Sequence, residues 1–106
     1  MVKVVWTDSA ILDLDDIGEY IGRDSERYAQ ITVQRLFNSV DILEKYPHSG
    51  KMVPEFENEK IRELIRINFR IVYYIVDSYR IDIISVHRCA RMIENTYDFS
   101  DMDNID

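Results

Sequence analysis

Residues 62–91 read RELIRINFRIVYYIVDSYRIDIISVHRCAR, and this stretch decides the fold. It is dense in Ile, Val, Tyr and Phe, side chains that suit a pleated, half-buried surface. Turn candidates at Asn68 and at Asp77-Ser78 divide it into three strands, residues 62–67, 69–76 and 79–86. Connections this short favour antiparallel hairpins. The stretch is also basic. Residues 60–91 hold Lys60, Arg62, Arg66, Arg70, Arg80, Arg88 and Arg91 against Glu63, Asp77 and Asp82, a balance of +4.

Outside it the charge reverses. Residues 1–59 carry −6 and residues 92–106 carry −5, so the whole chain stands at −7. An acidic protein is a poor candidate for phosphate-backbone binding, which needs clustered Lys and Arg. The field is local, however, and can be positive over residues 60–91 while the total is negative. A length of 106 residues fits one domain, and 46% hydrophobic residues suffice for a core without staples. Cys89 is the single cysteine, which excludes an intrachain disulfide and suggests a reducing, cytoplasmic setting. No apolar run reaches the length of a membrane span, and no leader-like segment opens the chain. Nothing in the composition calls for a cofactor.

Upstream of the sheet, the run VKVVW at residues 2–6 reads as a strand, with Thr7 or Asp8 placed to cap a following helix. Ala10, Leu14, Ile17 and Ile21 then recur at helical spacing, with Asp13, Asp15, Asp16 and Glu19 on the outer, solvated face. The carboxylates suit the helix N-terminus, and no converging histidine makes DLDD a metal site. Gly22 ends this helix and Ser25 caps a second, whose stripe runs through Ala29, Val33, Leu36, Val40 and Leu43 for about five turns. Residues 46–60 contain both prolines and form a connecting loop. His48 falls in that loop, either as a solvated side chain or as a proton carrier beside the sheet. The expected fold is α+β, in the order β-α-α-β-β-β, with an N-terminal helical hairpin packed on a small, mostly antiparallel sheet. Residues 1–91 form the single domain, and residues 92–106 an acidic tail or short helix.

These segments together resemble a known family. W-T-x-x-A-x-x-D-L-x-x-I at residues 6–17 is followed by L-E-x-Y-P-x-S-G at 43–50 and V-P-E at 53–55. Then come R-E-L at 62–64, F-R-I-V-Y at 69–73 and V-H-x-x-x-R at 86–91. The succession is similar to the RelE/ParE superfamily of toxins from type II toxin–antitoxin systems, and it looks closer to the ParE-like branch. The resemblance implies the same α+β fold, a cytoplasmic toxin that inhibits growth, and neutralisation by a cognate antitoxin in a plasmid-stabilisation or growth-control module. ParE-like members bind DNA gyrase, whereas RelE-like members enter the ribosome and cleave mRNA without a metal. A degenerate, non-toxic partner-binding member is the third possibility.

For RNA cleavage the resemblance assigns Arg70 to the scissile phosphate and His87 to proton transfer. Arg62, Arg66, Arg88 and Arg91 are candidates to bind phosphates or an acidic partner. If Asp77-Ser78 is a two-residue loop, Arg70 faces Ser85, and Arg70 and His87 are diagonal neighbours on one sheet face. Arg62 and Arg66 share a face with each other, and they join Arg70 only if the turn at Asn68 has three residues. Two departures count against nuclease chemistry: the strands lack lysine, and Tyr97 lies about two residues from the position of the family's C-terminal tyrosine. The acidic residues 98–106 either cover the arginines or keep the chain soluble.

Overall fold

The structure is a computed structural model and describes residues 1–89. Strand β1 (Lys3–Trp6) leads into helices α1 (Asp8–Gly22) and α2 (Glu26–Asn38) and a 3-10 turn (Ser39–Glu44). Strands β2 (Lys51–Met52), β3 (Ile61–Arg66), β4 (Phe69–Asp77) and β5 (Arg80–Arg88) follow. They form one sheet in the order β1-β5-β4-β3-β2, with β1 parallel to β5 and every other pair antiparallel. The α+β architecture is the expected one, with a short additional strand, β2, inside the loop of residues 46–60. No described helix is long and apolar enough to cross a membrane.

The helical hairpin covers one face of the sheet. Ala10, Leu14, Leu36, Val40 and Leu43 pack there on Leu64, Ile71, Tyr73, Ile81, Ile83 and Val86, all buried. Burying each large aliphatic side chain contributes about 1.5–3 kcal/mol. Thr7 caps α1, its hydroxyl accepting from the Ala10 amide at 3.2 Å and donating to the Ile83 carbonyl at 2.7 Å, so one side chain starts the helix and ties it to β5. Ser25 caps α2 through the Tyr28 amide. The α-helix stops at Asn38, earlier than the stripe suggests, where Ser39 Oγ donates to the Leu36 carbonyl and competes for the α-helical ladder. The tighter turn that follows still buries Val40 and Leu43.

Asp13 is not a solvated carboxylate. Strand β1 stops pairing at Trp6–Ile83, which leaves the end of β5 as an edge. Ser9 Oγ donates to the Ile84 carbonyl, and Asp13 Oδ2 accepts from the Val86 amide at 2.9 Å, so α1 satisfies that edge. Asp15, Asp16 and Glu19 are exposed, as the helical stripe implies.

Turn chemistry settles the faces. Arg66 pairs with Phe69, so Ile67-Asn68 is a two-residue loop with φ of 51° and 68°, the paired positive values of a type I′ turn. Asn tolerates that region, whereas a β-branched Ile is strained in it. Ile67 accepts it while packing against the core. A two-residue loop puts Arg62 and Arg66 on the face opposite Arg70. Between β4 and β5 the loop is Ser78-Tyr79, one residue later than expected, because Asp77 pairs with Arg80 and its carboxylate accepts from the Tyr79 amide at 2.8 Å. Register shifts leave Val76 of β4 and Ile84 of β5 without a partner, and the two bulges cancel beyond Val72. Arg70 therefore lies directly opposite His87 and not Ser85. A register change of two residues preserves the face, which is why the expected Arg70–His87 proximity survives the wrong turn.

Candidate functional site: a charge-compensated cleft on the open face of the sheet

The sheet face turned away from the helices carries a cleft of about 460 Å³. Its floor is Val72, Ile84 and Ser85, one wall is Val53, Glu55 and Phe56, and Arg70 and His87 close the end. Two hydrogen bonds from Tyr73 hold the loop that supplies Glu55 and Phe56. The Tyr73 hydroxyl donates to the Pro47 carbonyl at 2.7 Å and accepts from the Gly50 amide at 3.0 Å. Burial pushes its phenol pKa up, against the opposing effects of the Gly50 amide and Arg62. Gly50 must be glycine, because a Cβ would stand 2.6 Å from the Glu63 carbonyl and 2.8 Å from the Tyr73 ring.

Arg70 closes that end of the cleft, but two carboxylates hold it. Its Nε donates to Glu63 Oε1 at 2.6 Å, and its Nη2 lies 3.3 Å from Glu55 Oε1. Glu63 is only 4% exposed and also faces Lys51 Nζ at 3.8 Å. Burial pulls the Arg70 guanidinium down, but the bonds to Glu63 and then Glu55 outweigh it, so the net shift is upward. The Glu55 carboxylate is held below its ordinary value by its own backbone amide first and by Arg70 second. A buried carboxylate is costly without a partner, so the Arg70–Glu63 bond is a structural requirement as well as a surface feature. His87 is exposed, and its Nε2 lies 2.9 Å from Ser85 Oγ.

The other candidate arginines do not converge on this cleft. Arg62 holds the loop, donating to the Glu59 and Gly50 carbonyls at 2.9 Å each. Arg66 donates to the Ile65 carbonyl at the hairpin tip. Arg88 lies on the helix side, with its guanidinium 5.6 Å from the Tyr20 ring centroid and 5.3 Å from that of Phe69, distances at which cation–π attraction operates. Arg80 pairs with Asp82. The net positive stretch is thus divided between two faces and partly neutralised. Arg91 and the tail of residues 92–106 lie outside the described residues. His48 is exposed in its loop and does not line the cleft.

The sequence marks Arg70 and His87 but not the carboxylates that surround Arg70. Glu63 and Glu55 were visible only as a counter-charge and a motif letter. The signal that could have found Glu63 is the type I′ reading of Ile67-Asn68, which places Glu63 diagonal to Arg70 on one face. No local signal brings Glu55 there, because a 15-residue separation is closed by the loop and by Tyr73.

Comparisons with known proteins agree with this architecture. Residues 4–93 match the family model described as the ParE toxin of the type II toxin–antitoxin system parDE. The chain is 33% identical over 92 residues to Toxin RelE2 of Caulobacter vibrioides, an alignment covering 87% of this chain and 100% of that one. Among solved structures it resembles a chain of the chromosomal ParDE toxin–antitoxin system from P. aeruginosa, with a TM-score of 0.68 and 27% identity, covering 83% of this chain and 96% of that one. It also shares its fold with a chain of the toxin–antitoxin complex RelBE2 from Mycobacterium tuberculosis, at a TM-score of 0.54, 19% identity, and coverage of 82% and 96%. With its helical hairpin on a five-stranded sheet and a family match over most of its length, the chain belongs to the ParE toxin family of type II toxin–antitoxin systems.

Proposed function

We propose that this toxin inhibits growth by binding DNA gyrase, as ParE-like members do, and that a cognate antitoxin neutralises it. The observation that carries the proposal is the double carboxylate engagement of Arg70. An arginine that stabilises a phosphorane-like transition state must present its donors to the phosphate. Here two of those donors face Glu63 and Glu55, and the negative charge beside them repels a phosphodiester. Arg62, Arg66 and Arg88 sit on the far face or are committed to carbonyls and rings, so they do not add to the cleft. A surface of this kind suits protein partners better than RNA. The antitoxin partner is supported by the two structural relatives, each of which comes from a toxin–antitoxin system.

The ribonuclease reading has one observation in its favour: Arg70 lies directly opposite His87 in a shared cleft. Inducible expression without antitoxin separates the readings. Gyrase binding predicts growth arrest with a DNA-damage response, and loss of supercoiling when the purified toxin is added to gyrase. Reporter mRNA should stay intact in a translation extract. Cleavage of that mRNA, abolished by His87→Ala, would establish the nuclease instead, and unaffected growth would mark a non-toxic partner-binding protein.

A further inference from the structure

We infer that the cleft on the open sheet face receives a segment of the antitoxin that carries a large apolar side chain beside a lysine or arginine. The inference rests on the antitoxin reading above and adds the chemistry of the contact. The cleft is concave and apolar along its length: Val53, Phe56, Ile61, Val72 and Ile84 line it. A volume of about 460 Å³ accommodates one large side chain with room for its flanking backbone. Its rim has the opposite character. Glu55 is 61% exposed and is held to Arg70 through one oxygen, Oε1, at 3.3 Å. Glu57 and Glu59 add two exposed carboxylates on the same loop.

Charge decides the occupant. The only guanidinium lining the cleft among the described residues, Arg70, is compensated by Glu63 and Glu55, so an anionic ligand meets carboxylates and gains little. A cationic side chain gains the exposed carboxylate of Glu55, with Glu57 and Glu59 on the same loop. The apolar walls supply the hydrophobic component, and the cation supplies register and rate of encounter. The exposed carboxylate of Glu55 and the exposed ring of His87 offer the polar contacts that orient such a segment.

The test measures binding of the full-length cognate antitoxin to the full-length toxin by titration calorimetry, without reference to gyrase. Glu55→Lys should weaken binding by about tenfold, equivalent to about 1.4 kcal/mol. Asp41→Lys, which changes net charge equally from an exposed position in the 3-10 turn, should change it less than twofold. Ser85→Trp, which fills the cleft floor, should weaken binding by a similar factor to Glu55→Lys. A Lys→Glu or Arg→Glu change in the antitoxin segment should restore affinity for the Glu55→Lys toxin. Binding of Glu55→Lys within twofold of wild type, with no antitoxin substitution showing charge-swap rescue, overturns the inference. So does protection of Glu55 and His87 resonances by a single-stranded RNA oligonucleotide but not by the antitoxin. Circular dichroism and melting of each variant separate lost contact from lost fold. A toxin that binds antitoxin through the cleft yet leaves gyrase untouched refutes the gyrase reading alone.

Discussion

Arg70→Ala should destabilise the fold, and the reason lies in Glu63. The Glu63 side chain is 4% exposed, with Arg70 Nε at 2.6 Å and Lys51 Nζ at 3.8 Å, while Lys51 is itself 62% exposed. Removing Arg70 leaves a buried carboxylate with one distant, solvated cation. Breaking a buried ion pair from one side costs about 3–5 kcal/mol, and the remaining Lys51 and the partial exposure of Arg70 place the expected loss near the lower end, about 3 kcal/mol. Small domains are stable by about 5–15 kcal/mol, so this is a large fraction of the total. For a domain of this size it corresponds to a fall in Tm of about 12–24 °C. Replacing both partners, Arg70→Met with Glu63→Leu, should recover most of the loss, because an apolar pair carries no desolvation penalty. Urea denaturation of the wild type, both single variants and the double variant gives the coupling energy directly. If Arg70→Ala loses less than about 1 kcal/mol, or the double variant is no better than the sum of the singles, the reasoning is wrong. The outcome matters for function as well, since loss of toxicity in Arg70→Ala would report unfolding unless stability is measured alongside.

Gly50→Ala should cost more than about 2 kcal/mol, because its Cβ would meet the backbone carbonyl of Glu63, which cannot move aside; thermal melting checks this. Tyr73→Phe deletes the bonds to Pro47 and Gly50 and should cost about 1–3 kcal/mol in denaturant titrations. Because the folded-state pKa of Tyr73 is raised, its contribution is complete below the unfolded value near 10.0 and is lost as pH rises through the folded value; the wild type should therefore lose stability above pH 10 more steeply than Tyr73→Phe. The Glu55 pKa is depressed, so its contribution is present above the ordinary value of 4.5 and is lost as pH falls through the lower folded value. Carboxyl-resolved NMR titration should find its midpoint below 4.5, and Arg70→Ala should return only part of the shift, since the larger cause is the residue's own backbone amide.

Much of this protein is legible in its sequence. Apolar periodicity placed both helices, Thr7 and Ser25 were recognisable caps, and the dense β-branched run declared an antiparallel sheet. Those signals are local, because a 3.6-residue or two-residue repeat is written in neighbouring side chains. The family resemblance depended on the same stretches, and Arg70 and His87 were correctly placed on one face of adjacent strands. Face assignment at β3 was a different matter. It hung on whether the turn at Asn68 held two residues or three, and only the burial of Ile67 against the core accounts for a β-branched residue in the left-handed region.

Other outcomes belonged to the tertiary structure alone. The register that sets Arg70 opposite His87 follows from the Ser78-Tyr79 loop, because the bulges at Val76 and Ile84 offset each other before Arg70 is reached. Asp13 looked like one of four equivalent surface carboxylates until the end of β1 exposed an amide for it to accept from. The basic stretch of residues 60–91 is the clearest case. Linear charge counting makes it positive, and strand alternation then sends Arg62, Arg66 and Arg88 to one face and Arg70 to the other. Glu55, 15 residues away in sequence, arrives beside Arg70 because Tyr73 and Gly50 fold the loop back over the sheet. Sequence sets how many charges a segment carries; the fold sets which of them meet, because electrostatic interaction depends on distance and burial and not on order along the chain.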